Sequence, residues 1–303
     1  MTKQLLFPTI EIDPVSWKIG EAITTGILLE VCSHPSPGLV SCKGSGSHKD
    51  MNIITFMLST PAITPTIFMC AQSGRNHGGA LEDLLIEIRK IGLVGEDKLL
   101  KATKGINTQR GILFLGGLTA AAAGYISKSA QKLTAYSIAS TVSQIAKGII
   151  NRELNVLKNS KKKTMTAGER LFLKYNVTGI RGEVENGLPS VLEVGFPALE
   201  EAITKDMNLN LCLVHTLISL MSMVEDTTIL WRKDMATLIE VQEKAKKILA
   251  MGSVFTTKGL KEIYKLNREF INNNISPGGS ADLVAITAAL YLLENERFNV
   301  LLK

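Results

Sequence analysis

The chain has 303 residues, 45% of them hydrophobic, with a formal net charge of +6. That is enough apolar material for one large core. Aromatics at 5% leave the packing to Ala, Ile, Leu, Gly and Met, which favours helices and argues against a β-sandwich.

Asp13 as N-cap and Pro14 in the first turn open a helix through WKIGEAITTGILLE, the usual start signal. Ile19, Ile23 and Glu30 fall on one face, so an acid ends an apolar stripe. The prolines and glycines of SHPSPGLVSCKGSGSHK forbid regular structure. A second helix is expected from Met51 to Leu58, interrupted by Pro61 and Pro65. EDLLIEIRKIGLVGEDKLLKATKG reads as two short amphipathic helices around a glycine turn.

Asn107 or Thr108 caps the apolar run 112–126, whose 15 residues make it too short to span a bilayer. Residues 129–157 read as one long helical stretch. Much of the excess charge follows in NSKKKT at 159–164. Such a run reads as a solvated loop, so no nucleic-acid partner is expected. A glycine-rich loop spans 175–191, and LCLVHTLISLMSMVEDTTILW is another apolar helix. TLIEVQEKAKKILAMG is an amphipathic helix ending on glycine, and NNNISPGGSADLVAITAALYLLE closes the chain with Ser280 as N-cap.

No strand pattern, repeat or linker stands out, so the expectation is one all-α domain over 1–303 with functional loops at helix ends. MTKQLLFPTIEID turns acidic and meets a proline before any long apolar stretch, so no signal peptide or membrane partner is expected. Cys32, Cys42, Cys70 and Cys212 form no CxxC pair, as in a reduced cytoplasmic protein.

Five stretches could carry chemistry. In GSGSHKDM, Ser47 and Asp50 have capping-box spacing, while Gly44, Gly46 and Lys49 could equally wrap a phosphate. Asn107 and Arg110 open an otherwise apolar helix, where an arginine can clamp phosphate with its planar fork or simply face solvent. Arg181 and Glu183 alternate between glycines, as a structural pair or a ligand site. Glu225 and Asp226 end an apolar helix, with Glu225 continuing the Val214, Ile218, Met221 face; acids there want pairing, metal or solvent. SPGGSADL repeats the first loop's logic with Gly278, Gly279, Ser280 and Asp282. His34, His48, His77 and His215 make no zinc pattern, and GxSxG is absent.

Taken in order and spacing, PSPGLV, GSGSHKDM, NTQRGILF, GIRGEVENGLPSV, EDTTIL and NISPGGSADLVA resemble the triphosphoribosyl-dephospho-CoA synthase family, from about residue 20 to 290. The resemblance implies an all-helical cytoplasmic enzyme that joins ATP to 3′-dephospho-CoA and releases adenine. Its product, a prosthetic-group precursor for the acyl carrier protein of citrate lyase or malonate decarboxylase, passes to a holo-carrier-protein transferase. A homodimer stays open.

Such a reaction needs carboxylates at the reacting ribose and cations or Mg²⁺ at the triphosphate. The resemblance therefore implies Asp50, Glu183 and Asp226 as catalytic candidates and Asp226 and Asp282 as Mg²⁺ ligands. Glu30, Gly46, Ser47, His48, Lys49, Asn107, Arg110, Arg181, Gly278, Gly279 and Ser280 would hold the two substrates. The chain departs from the family where Ser36 and Ser41 replace a lysine and an acid, where Gln109 and Arg110 replace His and Lys, and around Thr228 and Lys233-Asp234. Two other readings follow from these departures and from the loop-borne acids: a non-catalytic nucleotide or CoA-precursor binder, and a helical nucleotide hydrolase.

Overall fold

The computed structural model describes residues 12–129, 131–159 and 164–298. The first eleven residues, on which the signal-peptide reading falls, and the lysines of the basic run lie outside those residues. Among the described residues every named element is helical, and the nearest approach to a sheet is one isolated bridge between Ser41 and Gly44.

Helix α1 (Pro14–Cys32) starts as its sequence dictates: Asp13 Oδ1 accepts from Val15 N and Ser16 N, each at 3.0 Å. Helix α2 (Ile53–Asn76) begins at a reciprocal cap between Asn52 and Thr55 and runs antiparallel to α1. The Asp13–Arg75 ion pair at 3.2 Å ties the start of one to the end of the other. The expected interruption does not occur, because Pro61 and Pro65 both sit on the exposed side of α2. A helix that carries its prolines on the solvent side can continue past the missing N–H bonds, and on the same stretch the Thr64 hydroxyl donates to Thr60 O at 2.8 Å.

Helix α3 (Leu81–Ala102) is likewise one helix where two were expected. Its Gly95 serves close packing, since a Cβ there would fall 2.6 Å from Thr66 Oγ1 on α2. Helix α4 (Arg110–Ile126) is the buried apolar helix. The long stretch expected at 129–157 is broken into α5 (Ala135–Ala146) and α6 (Ile149–Glu153), because Gly148 adopts a left-handed φ of 76°.

The rest of the chain is α7 (Ala167–Tyr175), α8 (Ile180–Glu185), α9 (Phe196–Thr204), α10 (Leu209–Met221), α11 (Thr227–Arg232), α12 (Met235–Ala250), α13 (Thr257–Asn273) and α14 (Gly278–Asn295). The apolar run expected to be one helix through Trp231 breaks at 222–226. Glu225 and Asp226 therefore precede α11 instead of ending α10, and Asp226 caps α11. Ser280 is the third residue of α14 and does not cap it.

The core is made by α1, α2, α4, α10 and α14, whose Ile, Leu and Ala side chains form one continuous buried cluster. Helices α1 and α14 meet backbone to backbone: a Cβ on Gly26 would lie 2.2 Å from Ala285 O. This approach brings Glu30, one turn further along α1, towards the first turn of α14. By length and composition α2 alone among the described residues could cross a membrane; one of its sides packs against α1, α3 and α4.

Candidate active site

A cavity of about 510 Å³ opens between the end of α1, the loop before α2, the start of α4, α8, and the N-termini of α11 and α14. Glu30, Glu183, Glu225, Asp226 and Asp282 line it. These acids differ in how far they are already committed.

Glu30, Asp282 and Glu225 make no side-chain hydrogen bond or ion pair among the described residues; Glu225 is exposed, which leaves Glu30 and Asp282 as the uncommitted pair in the cavity's interior. Burial pushes the Glu30 carboxyl up to about 8. Burial, followed by the charges of Glu30 and Asp226, holds Asp282 well above the carboxylate range. Asp282 is set against the first turn of α4 at Gly111, where a Cβ would lie 2.0 Å from its Oδ2. Only glycine leaves the carboxylate that room.

Glu183 lies across the cavity on α8, accepting from Ser190 N at 3.3 Å and from the Ser190 hydroxyl. Burial raises its carboxyl against the pull of those hydrogen bonds.

Asp226 is committed throughout. It is 1% exposed and accepts five hydrogen bonds from two helix starts. Thr228 N (2.9 Å), Ile229 N (3.3 Å) and Gly279 N (3.2 Å) donate to Oδ1, while Ser280 N (2.7 Å) and Ser280 Oγ (3.0 Å) donate to Oδ2. One carboxylate thus serves the N-termini of both α11 and α14, where N–H groups and helix dipoles favour an anion. The sequence reading placed Asp226 as a metal ligand and put phosphate at Gly278, Gly279 and Ser280. In this structure those two sets of groups bond each other: the N–H groups of Gly279 and Ser280 and the Ser280 hydroxyl are taken by the Asp226 carboxylate.

The loop GSGSHKDM is also not the helix corner its spacing suggests. Ser47 turns away from Asp50 and donates from both N (2.9 Å) and Oγ (2.8 Å) to Gly38 O. Gly46, at φ 59°, has no room for a side chain against Leu39 O. His48 reaches the cavity wall, its Nε2 2.9 Å from Ser276 Oγ. Lys49 and Asp50 are exposed and do not line the cavity. Asp50 is 63% exposed, with Oδ1 3.8 Å from His48 Nδ1.

Asn107 and Arg110 stand at the cavity mouth, with the Arg110 guanidinium 2.6 Å from Glu96. Arg181 points elsewhere, its Nε 2.8 Å from Glu153, a carboxylate shared with Arg89; its partner is not Glu183. Two of the family departures have structural partners. Gln109 is buried and ties α4 to α2, accepting from Ser59 Oγ at 2.8 Å and donating to Thr60 Oγ1 at 3.1 Å. Ser36 is buried and bonded to Ser33.

Sequence reasoning gave no site role to Thr227, Thr228 and Ser276 in the wall or to Arg232 beside it, and met Thr228 only as a departure from the family. A signal for the first two was present, since Asp followed by two threonines is itself a cap before a short helix. Among the described residues no group of three or more His, Cys, Asp or Glu side chains is arranged to hold a metal.

The family model described as ATP:dephospho-CoA triphosphoribosyl transferase matches residues 16–299. The chain belongs to that family. A protein of Malonomonas rubra named as a probable 2-(5''-triphosphoribosyl)-3'-dephosphocoenzyme-A synthase is 43% identical over 290 residues, 96% of this chain and 92% of the relative. The 2-(5''-triphosphoribosyl)-3'-dephosphocoenzyme-A synthase of Pectobacterium atrosepticum is 35% identical over 274 residues, 90% of this chain and 88% of the relative. No solved structure matches this chain. Family membership makes the chain a transferase, and the acid-lined cavity lies inside the matched span.

Proposed function

We propose that the chain transfers the 5-triphosphoribosyl group of ATP to the ribose 2′-hydroxyl of 3′-dephospho-CoA and releases adenine. The observation that carries this reading is the uncommitted Glu30–Asp282 pair facing the same cavity as Glu183. In the reaction the bond from the ATP ribose anomeric carbon to adenine breaks, and a bond from that carbon to the acceptor oxygen forms. The hydroxyl proton passes to a carboxylate, and adenine leaves with a proton taken up at its departing nitrogen.

Glu183 is the proton acceptor in this scheme, because burial raises its affinity for a proton towards what a general base needs. The remaining acids stabilise the positive charge that builds on the ribose ring as adenine departs.

Mg²⁺ fits the donor set. It is held through one or two carboxylates together with substrate phosphates and water. Glu30 and Asp282 offer such oxygens, whereas those of Asp226 already accept from two helix starts. Bound there, Mg²⁺ would supply charge neutralisation for the triphosphate.

The product, a prosthetic-group precursor, would pass to a holo-carrier-protein transferase serving citrate lyase or malonate decarboxylase, in the cytoplasm where ATP is made available.

The decisive experiment mixes purified protein, ATP, Mg²⁺ and dephospho-CoA and follows adenine by chromatography. Adenine release that depends on dephospho-CoA is the expected result. Adenine released without the acceptor would make the protein a hydrolase, and ATP binding without any release would make it a binder.

A further inference from the structure

Both substrates of the proposed reaction are polyanions, yet the cavity walls carry acids. A phosphate chain laid against them is repelled unless a cation intervenes. The groups that sequence suggests for this are already engaged: Asp226 fills the α14 N-terminus, Arg110 at the wall pairs with Glu96, and Arg181, outside the wall, pairs with Glu153.

Arg232 is different. It ends α11, four residues after Thr228 of the cavity wall, and is half-buried. Its Nη2 donates to Ser47 O at 2.8 Å, and its Nη1 lies 3.2 and 3.3 Å from the two ring nitrogens of His48. No carboxylate pairs with it among the described residues. Its partners are a carbonyl and an imidazole, and burial together with the Arg232 charge holds that imidazole below its ordinary pKa. The guanidinium charge is therefore uncompensated. Lys49, next to His48, is exposed and also makes no ion pair among the described residues.

We propose that Arg232, with Lys49 next in sequence to its His48 partner, docks a polyphosphate chain at the His48 edge of the cavity. A planar guanidinium held in place by neutral partners suits such an anion, and a second point charge adds to it. The identity of the chain rests on the transferase reading: either the triphosphate of ATP or the diphosphate of dephospho-CoA.

The test needs no turnover. Inorganic tripolyphosphate is titrated into the parent protein and into Arg232→Gln, Arg232→Lys and Lys49→Gln variants by calorimetry. The KM for each substrate is then measured. Arg232→Gln is expected to weaken tripolyphosphate binding at least about tenfold, or about 1.4 kcal/mol, and the other two variants by smaller factors. A matching rise in KM for ATP assigns the triphosphate to this lip, and one in KM for dephospho-CoA assigns its diphosphate. Should Arg232→Gln fail to fold, Arg232→Lys and Lys49→Gln carry the test alone.

Unchanged tripolyphosphate affinity in the folded variants, or no binding to the parent, overturns the proposal. A parent that binds tripolyphosphate through Arg232 but releases no adenine leaves the lip standing and removes the transferase reading. Adenine release with unaltered variant affinities does the reverse.

Discussion

The two glycine-serine loops, at 44–50 and 276–282, look alike in sequence and do opposite things in the fold. The first is held by its own backbone neighbourhood, with Ser47 donating to Gly38 O and no helix beginning there. Its charged residues Lys49 and Asp50 point to solvent. The second does open a helix, but its N–H groups are taken by Asp226, a residue from 53 and 54 positions away. Local motif logic is thus right about which backbone groups want an anion and silent about which anion arrives.

The sharpest way to break this contrast is to delete the anion. Asp226→Ala would leave buried N–H groups at two helix starts without acceptors, a loss of roughly 3 kcal/mol. Urea or thermal unfolding should show that drop, while Asp50→Ala in the same assay should stay within about 0.5 kcal/mol. If the Asp226 variant unfolds with the parent, the carboxylate does not join α11 to α14.

The next effect falls on activity. In Gly111→Ala the new Cβ would meet Asp282 Oδ2 at 2.0 Å and push the carboxylate aside. Adenine release is expected to fall about 100-fold, the usual consequence of misplacing a reacting group by about an ångström. Gly44 offers the contrast within the first loop, since a Cβ there meets nothing within 4 Å. Gly44→Ala should keep nearly full activity. Equal losses in both would mean that the first loop is as tightly built as the second.

How much of this was legible follows from what each signal depends on. The caps of α1 and the burial of α4 are local and periodic, and both were readable. The all-α class followed from composition and from the absence of alternating patterns. The continuity of α2 through Pro61 and Pro65 was not readable, because it depends on which side of the helix faces water. The break before α11 was hidden by an apolar run that continues across it.

At the site, sequence pointed to Glu30, Asp282 and Glu183, which do face one cavity. The resemblance points to Asp226, whereas its five donors at two helix starts leave no trace in sequence. Arg232 was not weighed, because its partners lie 184 and 185 residues away. Contacts of that range leave no trace in spacing.

A smaller effect concerns pH. Glu30 titrates at about 8 in the fold against 4.5 ordinarily. Between those values the folded state keeps a proton that the unfolded chain has released. Stability therefore falls as pH rises through that window, by up to about 1.4 kcal/mol per unit. Glu30→Gln cannot titrate. Without Mg²⁺ it should unfold with the parent near about pH 5 and exceed it by a margin that widens steadily towards about pH 8. Parallel pH curves for the two proteins would show that Glu30 is well solvated and not part of a buried pair.

The smallest expected effect tests the first loop most directly. Asp50 carries the sequence signature of a catalytic acid, yet its side chain is 63% exposed and lies outside the cavity wall. Its ion-pair contact among the described residues is with His48, at 3.8 Å. A carboxylate so placed is screened by water and contributes little through charge alone. Asp50→Asn should accordingly change adenine release by less than about twofold, the scale of a surface charge. A loss of tenfold or more would mean that Asp50 reaches the ribose once substrate is bound. For that, Ser47 and His48 would have to give up Gly38 and Ser276, so the same variant should then respond to substitutions at Ser276. The rigid tether of the first loop, set against the filled helix start of the second, makes the small effect the expected one.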